Sequence, residues 1–494
     1  MATLYAIALA VVTLYGLNHF WLSWRWAKTR ALVPGPVPDP AATLAGDGPV
    51  PMVTVQIPLY NESLVADRVI AACARLDWPR DRLEIQVLDD STDETTGVVA
   101  RAVRFWRAQG MQMVHLHRTH RNGFKAGALA AGLRSARGGF IAMFDADFVP
   151  PRDFLRRMMP RFSDPQVGFV QARWAHLNDS NSLLTRMQSV GLDAHFALEQ
   201  EARARSGYPA GFNGTAGIWR LACIEDAGGW SADTLTEDLD LSYRAQLRGW
   251  RMAFLPELAV PAELPVEMGG FRAQQHRWTK GAMQTAMKLV RRVRKGGSGV
   301  GFRTQGTLHL TATLGFPFML VVALLHAPVS LRKAAGAGPS EAFFALLTLG
   351  IAGFAGFFLA HLLAQRSLYG DWARRLVRFP LFLAASIGMS LSNTIAVAEA
   401  LLGRRSPFVR TPKFNSLDNA SSPWWRSAYA VARLGPVSFA EVMLAVYLTV
   451  GLFLLVWVGA WASVPFQLLF VAGTWMVVGL TLRDAGLVGK FLRA

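Results

Sequence analysis

The stretch "GFIAMFDAD" (residues 139–147), followed by "FVPP", decides the fold. It reads as a strand whose end carries Asp145-Ala-Asp147, with proline closing the segment. Two carboxylates two residues apart at a strand's end point to the same side of the pleat. That arrangement suits a divalent cation that also binds substrate phosphates. Alone the pattern is weak, since Asp-x-Asp is more often a turn or cap. The same design recurs in "LEIQVLDDSTDE" (83–94), which ends in Asp89-Asp90; the plain alternative there is a cap, with Ser91 and Thr92 opening the next helix. "MVTVQIPLY" (52–60) and "VGFVQARW" (167–174) are further strand-like runs, and helical stretches fall between them at 62–75 and 94–109. Strand and helix in alternation imply a largely parallel, doubly wound α/β sheet of Rossmann-like kind, with ligands at the carboxyl ends of its strands.

Outside this domain the chain is apolar. With 494 residues, 52% hydrophobic and 17% charged, and a mean hydropathy of +0.25, membrane spans are expected. Residues 3–23 form an uncharged run of spanning length followed by Arg25, Lys28 and Arg30. The run lacks a signal peptide's charged start and cleavage site, so it reads as a retained anchor. "VPGPVPDPAATLAGDGPVP" (33–51) is a linker. Later apolar runs lie near 306–327, 341–363, 379–402, 437–460 and 464–481. If all crossed, "GRRSPFVRTPKF" (403–414) would face the side opposite Arg291, Arg292, Arg294 and Lys295, against the positive-inside rule. The run 379–402 also holds Ser386, Ser390, Ser392, Asn393 and Glu399, so it reads as re-entrant or interfacial. The expected layout is an anchor (1–24), a linker (25–50), the sheet domain (51–265), interfacial amphipathic helices (266–304) and a membrane portion (305–494).

The net charge of +17 suits anionic lipid headgroups and polyanionic small molecules. The basic residues carry no RNP, finger or basic-region motif, so nucleic acid is not expected. Cys73 and Cys223 have no metal-type spacing and read as buried thiols. The cluster "HLHRTH" (115–120) reads as a strand end, and no carboxylate or thiol within it falls at ligand spacing.

Four more segments carry chemistry. In "TLTEDLDLSYRAQLRGWR" (234–251), Thr236 can cap a helix with Glu237, Asp238 and Asp240 in its first turn; alternatively, Asp238 is a general base for a hydroxyl proton. "RNGFKAGALAAGL" (121–133) offers Lys125 beside glycines, either as a phosphate contact or as a plain loop before an alanine-rich helix. "PAGFNGTAGIWR" (209–220) is a Gly-rich loop with Asn213 and Thr215, a plain turn or a surface for an acceptor. "QQHRW" (274–278) packs amides, imidazole, guanidinium and indole into five residues, and the bland reading is an interfacial helix with Trp278 as a headgroup-level anchor.

Asp89-Asp90, Asp145-Ala-Asp147, Thr236-Glu237-Asp238 and Gln274-x-x-Arg277-Trp278 occur in the order of the D, DxD, TED and QxxRW series of processive family 2 glycosyltransferases, which the chain resembles. "QIPLYNE", "WPRDRLEIQVLDDSTD", "NGFKAGAL", "FDADF", "FNGTAGIWR" and "QQHRW" look like the plant cellulose synthase-like A and C proteins. The likeness is dense over residues 50–285 and loose beyond. It implies a GT-A catalytic domain with an α-helical transmembrane region. Asp89, Asp90, Lys125 and Gln274 would bind the nucleotide sugar, and Asp145 and Asp147 its diphosphate with Mg or Mn. Asp238 would be the base, Arg277 would hold the pyrophosphate, and Trp278, Asn213 and Glu237 would meet the acceptor. "FVRTPK" (408–413) is similar to the gating loop of cellulose synthases, through Phe408, Thr411 and Lys413, although Arg410 stands where that pattern has valine.

The expected activity is polymerisation of a β-1,4-linked glucan or mannan from UDP-glucose or GDP-mannose, coupled to export through the adjoining spans. Phe316, Phe318, Ser390, Asn393, Trp424 and Trp425 are candidates for lining that path. A transferase that glucosylates a ceramide or diacylglycerol is the second reading, and a catalytically silent export scaffold the third. Membrane lipids and accessory export subunits are expected partners, and a bacterial inner membrane with the sheet domain cytoplasmic is the expected setting.

Overall fold

The computed structural model describes residues 1–31, 50–296, 299–338, 348–404 and 434–486, with 340, 343, 406, 409–416 and 429 between them. Seven strands build one sheet: β1 (Val53–Leu59), β2 (Leu83–Asp89), β3 (Gln112–His117), β4 (Phe140–Met143), β5 (Val167–His176), β6 (Gly217–Arg220) and β7 (Arg251–Ala262), in the order β3-β2-β1-β4-β6-β5-β7. β1 pairs in parallel with β2 on one side and β4 on the other, so the chain order reverses there. β6 runs antiparallel to both β4 and β5, which makes the sheet mixed. Sequence reading had left β6 inside the Gly-rich loop, because four residues are too few to show a period.

The sheet has two dry faces. Val53, Val55 and Ile57 of β1 turn toward Val65, Val69 and Ile70 of the helix Ser63–Ala74. On the other face Ile141, Met143 and Phe169 pack with Leu129 of the helix Phe124–Leu133 and Leu241 of the helix Glu237–Gln246. β1 and β2 also place polar residues on that second face, where Thr54 donates to Glu84 (2.7 Å) and Gln56 to Gln86 (3.0 Å) across the paired register. Buried polar atoms matched in this way pin the strand register.

The helices used below are α1 (Ala2–Ala31), α2 (Ser63–Ala74), α3 (Thr95–Ala108), α4 (Phe124–Leu133), α5 (Leu183–Ala194), α6 (Glu237–Gln246), α7 (Met268–Lys295), α8 (Gly299–Thr311), α9 (Gly315–Ala334), α10 (Leu349–Leu368), α11 (Phe379–Gly388), α12 (Ser390–Leu401), α13 (Pro436–Trp457) and α14 (Val464–Asp484). Among the described residues, five segments are long and apolar enough to cross a membrane: Ala2–Ala31, Gly299–Ala334, Leu349–Leu368, Pro436–Trp457 and Trp461–Asp484. The run read as re-entrant or interfacial is broken between α11 and α12, with a bend of 44°. Ser390 and Asn393 there are buried, and Phe318 packs in an apolar cluster of the helical region. Trp424 and Trp425, proposed from sequence as path-lining residues, lie outside the described residues.

Candidate active site

Where β1, β2 and β4 end, their loops enclose a cleft of roughly 1220 Å³, part of it open to solvent. Asn61, in the left-handed region at φ 53°, ties the first two loops together. Its amide donates to Ser91 Oγ (2.9 Å), and its side-chain oxygen accepts from the Thr92 amide (2.8 Å). Asp90 lines the cleft and takes both oxygens to Arg118, at 2.7 and 2.6 Å. Asp89 does not line it. Its buried carboxylate accepts from the Ser91 amide (2.9 Å), His115 Nε2 (2.9 Å) and His117 Nδ1 (3.2 Å). Burial would raise its pKa, but the hydrogen bonds from His115 and Ser91 outweigh this and hold it well below the usual range. The structure therefore corrects two expectations. Asp89 supports the loop from behind, and the histidine cluster does have a carboxylate, brought by the neighbouring strand so that one ligand atom each from Asp89, His115 and His117 lie within 4.8 Å.

Asp145 and Asp147 both line the cleft, but from the turn after β4, which ends at Met143, and not from the pleat. The Asp145 amide donates to Thr215 Oγ1 (2.9 Å), which anchors that turn to the Gly-rich loop. Lys125 Nζ donates to Asp145 Oδ1 (2.6 Å) and to Gly214 O (2.9 Å). Lys413 Nζ donates to Asp147 Oδ2 (2.6 Å) and to Glu263 O (3.2 Å). Each carboxylate of the pair already faces an ammonium. The gating-like segment thus reaches the cleft with Thr411 and Lys413, and Arg410 reinforces it by donating to Tyr60 O (2.9 Å). Phe408, the third residue expected there, lies outside the described residues.

Asp238 sits in the first turn of α6, with Oδ1 accepting from the Leu239 amide (2.8 Å). Thr236 does not cap the helix as expected: its hydroxyl pairs with Thr285 of α7 at 3.2 Å. Burial first, then the like charge of Glu237, raises Asp238 to about 7 against the opposing pull of Lys125. The Gly-rich loop closes over this carboxylate. Gly214 has φ +78°, and a Cβ built there would lie 2.9 Å from Asp238 Oδ2. Its neighbour Asn213 is held from three sides: its amide donates to Gln171 Oε1 (3.0 Å), its oxygen accepts from Gln200 (2.6 Å), and its side-chain nitrogen donates to His195 Nε2 (3.2 Å). His195 and Gln200 bound a π-helical turn that extends α5, a distortion common beside functional sites.

Positions 274, 277 and 278 of α7 share one helical face, and Gln274, Arg277 and Trp278 all line the cleft with Glu237, Asp238 and Asn213. His276 and Lys280 turn the other way, to Glu399 of α12 at 3.1 and 2.8 Å. "QQHRW" therefore serves two surfaces at once. Tyr60, Glu62, Arg121, Trp174 and His176 also line the cleft and were missed from sequence. Trp174 and His176 alternate along β5 and are legible only as strand residues until the fold brings α7 opposite them.

Residues 50–281 match the family model described as "Glycosyltransferase like family 2". Over 250 residues the chain is 46% identical to glucomannan 4-beta-mannosyltransferase 2 of Arabidopsis thaliana, covering 50% of this chain and 47% of that protein. It is likewise 46% identical over 250 residues to probable glucomannan 4-beta-mannosyltransferase 3 of Oryza sativa subsp. japonica, covering 50% and 45%. The chain spans about half the length of these curated relatives. Among solved structures, the mannosyltransferase PcManGT from Pyrobaculum calidifontis, in complex with GDP-Man and Mn2+, aligns with a TM-score of 0.52 at 24% identity, covering 82% of this chain and 100% of that one, and it shares the fold. The sequence likeness to glycosyltransferase family 2 thus spans residues 50–281.

Proposed function

We propose that the protein is an inverting hexosyltransferase that extends a β-linked, mannose-containing polysaccharide, with GDP-mannose as donor, at a membrane surface. The observation that carries this reading is the convergence of Asp145, Asp147, Asp238, Arg277 and Trp278 on one cleft. The relatives' activity and the GDP-Man and Mn2+ bound by PcManGT favour mannose over glucose.

Asp238 removes the acceptor hydroxyl's proton; with a base near 7 this needs no extreme pH. Arg277 holds the departing diphosphate, for which a planar guanidinium offers paired donors. Lys125 adds a second cation at the same wall. Asp145 and Asp147 fit a divalent cation, Mg or Mn, because both reach the cleft and both already carry an ammonium partner. Such an ion, when bound, supplies positive charge to the diphosphate. Trp278 offers an apolar ring face to the acceptor sugar. A single displacement turns an α-linked donor into a β-linked product. The candidate spans anchor the domain, with the basic loops and the cleft on the cytoplasmic side, and they offer the product a way across.

The test is turnover by the full chain in detergent with Mg or Mn, with labelled GDP-mannose and UDP-glucose offered separately. Ethanol-insoluble product from GDP-mannose, digested by a β-mannanase and absent with Asp238→Asn, is the expected result. Label found solely in the organic phase, or polymer from UDP-glucose alone, overturns it.

A further inference from the structure

The wall of the cleft opposite the nucleotide-side loops holds a pair of residues with no role in the chemistry above. Trp174 and His176 lie at alternate positions of β5, hence on one face of the strand, and both line the cleft. His176 Nε2 meets Asp193 Oδ1 at 3.2 Å. Asp193 is 1% exposed and is fixed by Gln365 (2.9 Å) and Tyr369 (3.2 Å), in and just past α10. Burial would raise its pKa, but the hydrogen bond from His176 outweighs this and keeps it ionised. A carboxylate can only accept, so Nε2 carries a proton toward Asp193, and Nδ1 is the ring atom left for another partner. That Nδ1 has no protein partner among the described residues. Two residues away, the Trp174 indole N–H is buried and also lacks an acceptor. The wall therefore offers a ring nitrogen without a protein partner, and a sugar hydroxyl can donate to it or accept from it.

Aromatic surface completes the setting. Trp174 and Trp278 stand with ring centroids 6.4 Å apart, inclined at 52°, which suits the C–H faces of a pyranose. The neighbouring guanidinium of Arg173 is taken by the carbonyls of Pro256 (2.9 Å) and Trp174 (3.4 Å). The residues that β5 gives to the cleft, Trp174, Ala175 and His176, include no lysine or arginine, which fits a neutral sugar. Gln365 lies on one of the five candidate spans, which puts the pair where the sheet domain meets the helical region.

We propose that Trp174 and His176, with Asp193 orienting the imidazole, form a subsite for a neutral pyranose of the acceptor glycan, next to Trp278. The proposal rests on reading the cleft as a transferase site.

The measurement separates acceptor use from donor use. Nucleotide release to water, without added glycan, reports the donor side; transfer to short β-1,4-linked manno-oligosaccharides reports the acceptor side. His176→Gln keeps an N–H near the Nε2 position for Asp193 and removes Nδ1, whereas His176→Asn keeps a polar atom near Nδ1 and gives up the Asp193 bond. With one neutral hydrogen bond at stake, His176→Gln should raise the acceptor KM about tenfold and leave nucleotide release and Tm unchanged. His176→Asn should retain more of the acceptor affinity than His176→Gln, and Asp193→Asn should follow His176→Gln. An unchanged acceptor KM in His176→Gln, or a parallel loss of nucleotide release and Tm, overturns the subsite. If the wild-type chain turns over no donor, tryptophan fluorescence with the same oligosaccharides decides the point separately. Binding weakened by His176→Gln keeps the subsite while the transferase reading falls; binding absent or unaltered removes the subsite too.

Discussion

A carboxylate serves as a base near neutral pH only if it parts with its proton there, and Asp238 is raised to about 7 by burial and by Glu237. The base must be ionised to act, so kcat/KM should climb as pH rises through about 7 and then level off. Glu237→Gln removes a like charge that favours the protonated form, so it should move this limb to lower pH. Asp238→Asn should cut transfer by about 10²- to 10⁴-fold with nucleotide binding kept. A limb that ignores Glu237 would remove Asp238 from the role of base. At this scale the sequence told which carboxylates gather, because motif order carries that information. It did not tell which of Asp89 and Asp90 faces the cleft. Adjacent residues at a strand's end point to opposite sides, and only the position of His115 and His117 on β3 reveals that Asp89 points away.

Elements place these residues, and α7 does so through one close contact. A Cβ at Gly281 would lie 2.6 Å from Thr236 Cγ2 and 2.8 Å from its backbone nitrogen. The glycine lets the helix that carries Gln274, Arg277 and Trp278 rest on the turn that opens α6. Gly281→Ala should cost about 1–3 kcal/mol through forced displacement and should raise the donor KM by moving Arg277 relative to Asp238. Wild-type KM and Tm in this variant would mean that the contact yields freely. α2, α3, β1 and β2 were readable because their apolar periods are long and their ends punctuated. The antiparallel β6 was not, and neither was the displacement of Asp145 and Asp147 into the turn after β4. Both depend on how the Gly-rich loop folds back, through Thr215 and Gly214, and no local pattern encodes that return.

Across the whole molecule, two of the polar residues that made 379–402 unlike a span, Ser392 and Glu399, prove to join α12 to α13 and to α7. Ser392 Oγ donates to Glu441 Oε1 (2.6 Å), and Arg272 of α7 reaches Glu441 Oε2 (2.7 Å) and Thr481 (2.9 Å). Glu399 receives His276 and Lys280 from the same helix. Their low hydropathy was visible in sequence, but their partners, lying 49 to 123 positions away, were not. Glu441 is fully buried and Arg272 nearly so, so this pair should behave as a buried ion pair does when one side is removed. Glu441→Ala leaves a guanidinium without its counter-charge and should destabilise the fold by about 3–5 kcal/mol, read as a lower Tm in detergent. Replacing both partners by methionine removes the stranded charge together with its penalty, and should recover most of that loss. If the double variant were as unstable as Glu441→Ala, the cost would come from lost shape at the joint. If neither variant changed Tm, the ion pair would be dispensable for keeping the QxxRW face over the cleft.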